Sequence, residues 1–306
     1  MAYLKDTPYL LAPRVDNWDA AALAEGGASE DTIKSTAANG SLVEMVTTGA
    51  KIVTFPVWKH FTKVNGEGHQ KQMELFYQCQ KRSYDSFRDS LLHARPTLIE
   101  YLPLKSEGGA VWVDIGGGTA RNLEYLNPKT IRRHFKRIYI VDISPSLLSI
   151  ASERLRKFGL EDLVTLVLHD VTSDSVFEEL GLPLASVDVV TMSYSLSMIP
   201  DKDRAVENAL KLLKPNGEGY LGIADFWMAG NFEHEMGRAK RKARAAEAKA
   251  HKWWFAHDHV HLLDDDQICV KGLRNTSLVW DQRFRGGVPF LPMLKPVHGV
   301  YIVATL

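Results

Sequence analysis

One short stretch constrains the fold of this chain more than any other. Residues 111–119 read VWVDIGGGT, so an apolar run ends in Asp114 and three glycines follow at once. The run predicts a buried strand, the glycines a tight turn, and residues 121–126 the start of an amphipathic helix. Such turns let a backbone approach a nucleotide-like ligand closely, although a plain α/β turn is the other interpretation. Both interpretations predict an α/β fold.

Strand and helix patterns alternate from residue 110 onward. Apolar runs separated by helical patterns predict a parallel sheet with helices on both faces. Ser144 and Pro145 are a helix start, as N-cap and first-turn residue. Two β runs near the C-terminus, joined only by a loop, should pair antiparallel. The predicted strands are residues 111–115, 137–142, 164–168, 187–192, 219–224, 278–284 and 300–304.

The composition fits one large globular domain with appendages. The 306 residues hold 37 Lys+Arg and 37 Asp+Glu, so no net field favours a nucleic-acid partner. The two cysteines, Cys79 and Cys269, form no CxxC pair, which fits a reducing compartment. No apolar run approaches the roughly 20 residues of a membrane span, and the N-terminus does not read as a signal peptide. We therefore expect a cytoplasmic protein.

Helical segments flank the alternating pattern. Residues 1–68 predict a helical appendage, which either covers the ligand site as a lid or only stabilises the domain. The main domain is predicted over residues 69–306, and its first helix places Tyr77, Tyr84 and Arg88 on one face. Pro96 should end that helix and begin a second, short one.

A further helix is predicted as an insertion at residues 228–254. One face is apolar and rich in alanine, whereas residues 238–252 make the other faces strongly basic. A solvated surface is one interpretation. Contact with anionic lipid headgroups, and so peripheral attachment to a membrane, is the other.

Acidic residues stand at the ends of the first three predicted strands. Ligands of open parallel sheets bind at the carboxyl ends of the strands, where the strand order reverses. Asp114, Asp142 and Asp170 lie there, and Ser193 and Tyr194 follow the fourth strand. Asp142 suits two ribose hydroxyls and Asp170 suits the amine of an adenine, so the pattern predicts a site for adenosine.

Charge indicates which group the adenosine carries. A dinucleotide site favours GxGxxG and a helix N-terminus aimed at a pyrophosphate. Here the turn follows Asp114, which would repel a phosphate but attract an ammonium or a sulfonium group. S-adenosylmethionine carries both of these cations and no phosphate. We therefore predict it as the cofactor, with S-adenosylhomocysteine as the product.

A segment near the C-terminus is rich in histidine and tryptophan. His257, His259 and His261 share one face only in an extended chain, and no Cys or Glu cluster accompanies them, so we expect no metal site. No GxSxG pattern indicates a hydrolase. Trp253 and Trp254 either pack in the core or attract a methylated ammonium group by cation–π interaction.

Taken together, the motifs resemble those of a known family. From about residue 70, over about three-quarters of its length, the chain resembles the class I S-adenosylmethionine-dependent methyltransferases, and within them the betaine-lipid synthase methyltransferase domain (BtaB type). The resemblance implies a Rossmann-like fold whose seven-stranded, mostly parallel sheet has an antiparallel last hairpin. The motifs are FYQCQKRSYDSFR (76–88), VWVDIGGGTARNLEYL (111–126), IYIVDISPSLL (138–148), SYSLSMIPD (193–201), WWFAHDHVHL (253–262) and VPFLPMLKPVHGVYIV (288–303).

The resemblance also implies a reaction and a set of site residues. The reaction is stepwise N-methylation of an amino-acid-type acceptor, either a homoserine-linked lipid or a related small molecule. Asp114 and the glycines would hold the methionine end, Asp142 the ribose, and Asp170 with Val171 the adenine. Tyr77, Tyr84 and Arg88 would close over the cofactor, with Arg88 facing its carboxylate, and Tyr194 would face the transferred methyl group. The implied cofactor contacts are Tyr77, Tyr84, Arg88, Asp114, Gly116, Gly117, Gly118, Asp142, Ile143, Asp170, Val171 and Ser193. The predicted catalytic residues are Tyr194, His257 and His259, and the predicted substrate contacts are Tyr194, Trp253, Trp254 and His261.

Two departures from the family pattern leave alternatives open. Ala120 stands where the third loop glycine is usual. The chain also has no room for the activity that makes a homoserine lipid, so we expect half of a split system or a relative with a different amine. A non-catalytic adenosylmethionine-binding scaffold and a nicotinamide-dependent oxidoreductase are the other two functional hypotheses.

Overall fold

The structure, a computed structural model, covers the predicted α/β region and parts of its surroundings. The predicted appendage, most of the basic helix and seven of the predicted site residues lie outside the described residues. The domain boundary at residue 69 therefore stays a prediction. Those seven residues are Tyr77, Tyr84, Arg88, Trp253, Trp254, His257 and His259. The structure describes residues 91–104, 108–173, 175–228, 249, 251–252, 255, 260–263, 273, 276–287 and 295–306.

Seven strands of the described residues form one sheet. Their bounds are β1 (Ala110–Ile115), β2 (Phe135–Asp142), β3 (Val164–Leu168), β4 (Val189–Ser193), β5 (Tyr220–Trp227), β6 (Thr276–Arg285) and β7 (Val297–Thr305). The order is β3-β2-β1-β4-β5-β7-β6. The first five strands are parallel, and β7 runs antiparallel between β5 and β6. The predicted fold class and antiparallel last hairpin are thereby confirmed, and the strand order reverses between β1 and β4.

Short helices and turns connect the strands. Ser144 caps α3 as predicted, since its Oγ accepts a hydrogen bond of 3.3 Å from the N–H of Leu147. The helix predicted after the glycines is instead a 3-10 turn of five residues, Arg121–Tyr125. The helices are α1 (Arg95–Tyr101), α2 (Pro128–His134), α3 (Pro145–Phe158), α4 (Val176–Leu180) and α5 (Lys202–Leu212), and a second 3-10 turn is Leu196–Met198.

Apolar residues cover both faces of the sheet, and β1 is buried along its whole length. Because successive side chains of a strand point to opposite faces, Trp112 packs in one hydrophobic cluster and Val111 and Val113 in the other. Asp114 is the next residue on the face of Trp112, so the strand carries its carboxylate into the interior. None of the described helices is long and apolar enough to cross a membrane.

Candidate active site

The glycine-rich turn closes the carboxyl end of β1 against β2. The N–H groups of Gly116 and Gly117 donate to the carbonyl of Val141 at 2.7 and 3.3 Å. Gly116 has φ +65°, and a Cβ at this position would overlap the side chain of Ser195. Ala120 has φ +60° and is fully buried. The small size of alanine suits the space at this position, but its left-handed backbone carries a cost of about 1–2 kcal/mol that glycine would avoid.

A cavity of about 190 Å³ opens over the carboxyl ends of β1, β2, β3 and β4. It therefore lies at the reversal of strand order, where open α/β sheets bind ligands. The structure brings nine of the predicted site residues together in its wall. They are Gly116, Gly117, Gly118, Asp142, Ile143, Asp170, Val171, Ser193 and Tyr194.

Asp142 is the one buried acid in the described part of this wall. Its Oδ2 accepts from the N–H of Gly118 and its Oδ1 from the N–H of Ser144, both at 2.9 Å. These two bonds orient a buried carboxylate towards the glycine-rich turn. Asp170 is exposed, and its Oδ1 accepts from both the N–H and the hydroxyl of Thr172 at 2.8 Å. The two acids thus occupy the β2 and β3 side of the cavity.

Asp114 is the predicted cofactor contact that the structure places differently. It is fully buried and is not part of the cavity wall. Asn122 Nδ2 donates to both of its oxygens at 3.0 Å, and the Thr191 hydroxyl donates at 2.7 Å. Burial raises the pKa of Asp114 to about 6, although these donors oppose the shift. The carboxylate therefore supports the turn from below, beside Gly117, instead of facing the ligand as predicted.

Ser193 and Tyr194 form the wall at the end of β4. Ser193 is buried, and its Oγ has no hydrogen-bond partner among the described residues. A buried hydroxyl without a partner is costly, which favours a ligand group at this position. Tyr194 has φ +55°. The backbone at Tyr194 thus turns sharply as it leaves the sheet.

The hydroxyl of Tyr194 is engaged inside the protein. It accepts from the N–H of Ala94 at 2.9 Å and shares a hydrogen bond of 2.7 Å with Nδ1 of His298. Burial lowers the pKa of His298 to about 3 and raises the pKa of Tyr194 well above its usual value. Both groups are therefore neutral at pH 7. Tyr194 contributes to the cavity wall, while its hydroxyl connects β4, β7 and the start of α1.

We expect Tyr194→Phe to lower the free energy of unfolding by about 1–3 kcal/mol, because Ala94 and His298 each lose a buried partner. Binding of S-adenosylhomocysteine should change by less than about threefold. Urea unfolding and calorimetry measure the two effects, with Tyr220→Phe on β5 as the matched control. A large fall in turnover with unchanged stability would contradict this structural role. It would mean that the Tyr194 hydroxyl takes part in the reaction.

A second buried acid, Asp225 on β5, supports the 3-10 turn that follows β4 in the cavity wall. Its Oδ2 accepts from the N–H of Ser197 at 2.9 Å, in the 3-10 turn that brings Ser195 and Met198 into the wall. Burial is the largest cause that raises its pKa to about 6. Because the folded-state pKa is raised, the stability that the protonated acid contributes is full below pH 3.8 and is lost as pH rises through about 6.

Asp225→Asn should therefore flatten the dependence of unfolding free energy on pH. Between pH 3.8 and about 6 the native state of the wild type holds one proton that the unfolded chain releases. Because Asp225→Asn removes this proton, the slope of unfolding free energy against pH should become less negative by up to about 1.4 kcal/mol per pH unit. Urea titrations across this range measure the slope, and Glu207→Gln, an exposed acid of α5, is the control. An unchanged slope in Asp225→Asn would refute the raised pKa.

Several wall residues carried no recognisable signal in the sequence. Arg95 is the first residue of α1, just before Pro96, so no strand end pointed to it. The predicted contact His261 is exposed and is not in the cavity wall; its N–H donates to Ser197 at 2.8 Å. No group of three His, Cys, Asp or Glu suited to a metal occurs among the described residues. The wall residues that were not among the predicted site residues are Arg95, Ile115, Thr119, Val141, Leu147, His169, Thr172, Ser195, Met198, Ile199, Pro200 and Asp201.

Comparison with known proteins finds similarity in the part of the chain that forms most of this cavity wall. Residues 113–218 match the model of a methyltransferase domain family. These residues include the glycine-rich turn, Asp142, Asp170 and Tyr194. This part of the chain is therefore similar to methyltransferase domains.

Curated proteins are similar in sequence to this chain over about half of its length. The ubiquinone/menaquinone biosynthesis C-methyltransferase of Bartonella tribocorum is 25% identical over 162 residues, which cover 51% of this chain and 59% of the relative. The corresponding enzyme of Vibrio vulnificus is 27% identical over 162 residues, covering 51% and 58%. The chain thus spans less than two-thirds of the length of these relatives.

Solved structures of other proteins share the fold of this chain over most of its length. The cyclase SpnF matches with a TM-score of 0.53 at 13% identity, over 78% of this chain and 97% of its own. The geranyl diphosphate C-methyltransferase of Streptomyces coelicolor matches with a TM-score of 0.51 at 9% identity, over 69% and 76%. At such identities the likeness concerns the fold alone, and these two proteins differ from each other in reaction.

Proposed function

We propose that the chain transfers methyl groups from S-adenosylmethionine to the amino group of an amino-acid-type acceptor. The observation that carries the proposal is the cavity at the strand-order reversal, where Asp142 and Asp170 line the β2 and β3 side and Ser193 offers a buried hydroxyl without a described partner. An adenosine needs acceptors for its ribose hydroxyls and its amine. The cofactor's polar groups thus match those of the wall.

The geometry of the turn weighs against a dinucleotide. Pyrophosphate sites use the N-terminus of an α-helix, where several N–H groups point at the anion. The glycines here lead into a 3-10 turn of five residues, and the N–H groups of Gly116 and Gly117 are already donated to Val141. The nicotinamide oxidoreductase hypothesis therefore has little support.

Methyl transfer to an amine asks the protein mainly for alignment. Bound S-adenosylmethionine supplies a methyl group made electrophilic by its sulfonium. An uncharged amine is already a competent nucleophile, so the site must mainly orient it and keep it deprotonated. Asp142 and the glycine-rich turn would hold the adenosine, and the buried end of β4 would form a rigid wall. The proton released by the amine can pass to water.

The acceptor part of the proposal rests on the motifs that resemble betaine-lipid synthases. Trp253, Trp254, His257 and His259 would form the acceptor side, and residues 238–252 would provide a basic surface for an anionic membrane. A lipid-linked amine and a soluble amine both suit this arrangement. The wall also contains the exposed Asp201, whose carboxylate suits a cationic methylated product.

C-methylation of an aromatic ring is the second candidate. Its support is the local identity of 25–27% with C-methyltransferases of quinone biosynthesis. Carbon is a weaker nucleophile than an amine, and an aromatic acceptor would require a base in the site. His169, which lies in the wall with Nε2 at 3.0 Å from the Ser175 hydroxyl, is the described candidate for that base.

Release of S-adenosylhomocysteine with three acceptors tests the proposal. The full chain is incubated with S-adenosylmethionine and one of three acceptors: homoserine-linked lipid in micelles, free homoserine, or a quinol. The mass of each acceptor is then measured by mass spectrometry. We expect the homoserine compounds to gain methyl groups on nitrogen. Methylation of the quinol alone would replace the amine by the second candidate. Cofactor binding without transfer to any acceptor would favour the non-catalytic scaffold.

A further inference from the structure

The loop that follows β3 lines the cavity with consecutive residues, 169–172. We call residues 169–173 the β3 loop. The N–H of His169 donates to the carbonyl of Asp142 at 3.0 Å, which ties the start of the loop to β2. The loop then closes on itself, since the N–H of Ser173 donates to the carbonyl of Asp170 at 3.0 Å. These bonds shape the loop, and a separate set attaches its end to the domain.

Two side chains of α5 hold the end of the β3 loop. Asn208 Nδ2 donates to the carbonyl of Val171 at 2.8 Å and makes a longer contact of 3.5 Å with that of Ser173. Arg204 Nε donates to the carbonyl of Thr172 at 2.9 Å. Consecutive carbonyls of the loop thus face one helix. Arg204 and Asn208 lie on the same face of α5, because residues at i and i+4 are neighbours on a helix surface.

A buried amide makes the shortest bond of this attachment. Asn208 is 1% exposed, and its Oδ1 has no hydrogen-bond partner among the described residues. Only the nitrogen of an amide can donate to a carbonyl, so the bonds to the loop fix the orientation of the group. A buried polar atom without a partner lowers stability, and a leucine of similar size would avoid that cost. The β3 loop therefore explains the amide at position 208 better than the packing of α5 does.

The start of α5 is tied to the cavity wall as well. Asp201, a wall residue, caps the helix, because its Oδ1 accepts from the N–H of Arg204 at 3.0 Å. The side chain of Arg204 then reaches Thr172, which is also in the wall. The helix, its cap and the β3 loop therefore form one hydrogen-bonded unit beside the cavity.

We infer that Asn208 and Arg204 are positioning residues for the nucleobase of the cofactor. Neither is in the cavity wall, so they act through the β3 loop, whose Asp170 would accept the adenine amine. Oδ1 of Asp170 already accepts from Thr172, which leaves Oδ2 for that amine. A carboxylate selects adenine only if it lies within hydrogen-bond reach of the amine, about 2.7–3.2 Å. The inference rests on the proposed function, because it requires a cofactor that carries adenosine.

Calorimetry with two nucleosides tests the inference. S-adenosylhomocysteine carries the amine of adenine, whereas S-inosylhomocysteine carries a carbonyl oxygen in its place. The wild type should bind the first at least about 10-fold more tightly, because the carboxylate of Asp170 attracts the amine and repels the oxygen. Asn208→Leu should reduce this ratio of affinities by about 10-fold, since the loop loses its buried donor. Asn208→Gln keeps an amide and should recover part of the ratio.

Two further variants of α5 complete the comparison. Arg204→Met removes the bond to Thr172 and should reduce the ratio by about threefold. Leu212→Val is the matched control, because Leu212 is buried on the same helix and its side chain has no hydrogen-bonding group. The control should lower stability and keep the ratio. Unfolded chains bind neither nucleoside, so a loss of folded protein leaves the ratio unchanged.

The ratio of affinities separates the possible outcomes. A reduced ratio in Asn208→Leu or Arg204→Met, with the wild-type ratio in Leu212→Val, supports the inference for the residue concerned. An unchanged ratio in both variants, even with weaker binding of both nucleosides, overturns it, and so does an equal reduction in Leu212→Val. Arg204→Met decides alone if Asn208→Leu does not fold. A wild type that binds both nucleosides equally overturns the inference but not the proposed function, whereas a wild type that binds neither overturns both.

Discussion

Asp142→Ala should weaken binding of S-adenosylhomocysteine by about 100-fold or more. The substitution removes the carboxylate proposed to accept two ribose hydroxyls, and hydrogen bonds to a charged group contribute about 1.5–3 kcal/mol each. It also removes the acceptor that holds the N–H groups of Gly118 and Ser144 at 2.9 Å, so the glycine-rich turn loses an anchor. Calorimetry with the purified full chain measures the affinity.

Two further variants separate these effects. Asp142→Asn keeps the size and one acceptor oxygen, so we expect a loss between those of the wild type and Asp142→Ala. Asp162→Ala, at an exposed aspartate that pairs with Arg132, should leave affinity unchanged. An unaltered affinity in Asp142→Ala would remove the ribose assignment, even though Asp142 lies in the cavity wall.

Gly116→Ala should destabilise the domain by about 2–5 kcal/mol and abolish cofactor binding. Its φ of +65° strains any side chain by about 1–2 kcal/mol. Its Cβ would in addition overlap Ser195, whose hydroxyl donates to the carbonyl of Ile115 at 2.8 Å, and overpacking of this kind costs about 1–3 kcal/mol. Either the turn or the β4 wall must then move, and both line the cavity.

Gly159→Ala is the matched control for this prediction. Gly159 has φ +62°, close to that of Gly116, but a Cβ there would meet nothing within 4 Å. The control should therefore show only the strain of about 1–2 kcal/mol and retain affinity for S-adenosylhomocysteine. Urea unfolding compares the two variants. Equal losses of stability would mean that the contact with Ser195 is not what requires a glycine at position 116.

The architecture was largely predictable because its signals are local. Alternating apolar runs and helical patterns, the cap at Ser144 and the short helix that begins at Pro96 each depend on neighbouring residues, and the structure confirms the strands to within a few residues. The last strands differ most: β7 begins at Val297, three residues before the predicted start, because pairing with β5 and β6 extends the ladder. Such pairing depends on residues far apart in the chain.

Asp114 shows where the same local argument stops. Its place at a strand end predicted a ligand contact, as it did for Asp142 and Asp170. However, β1 is an interior strand of the sheet with both faces covered, and the partners of Asp114 come from residues 122 and 191. The residue type was informative, but the direction of its side chain depended on the packing around it.

The sequence by itself determined the order of the elements, the strand-end acids and the glycine-rich turn, since these follow from periodicity and backbone sterics. Only the tertiary structure decided which polar groups meet. The bond between Ala94 and Tyr194 spans 100 residues and places Arg95 in the cavity, and Asp225 reaches Ser197 from a different strand. Contacts of this kind form only when the sheet is assembled, because burial and long-range hydrogen bonds select among side chains that no local pattern distinguishes.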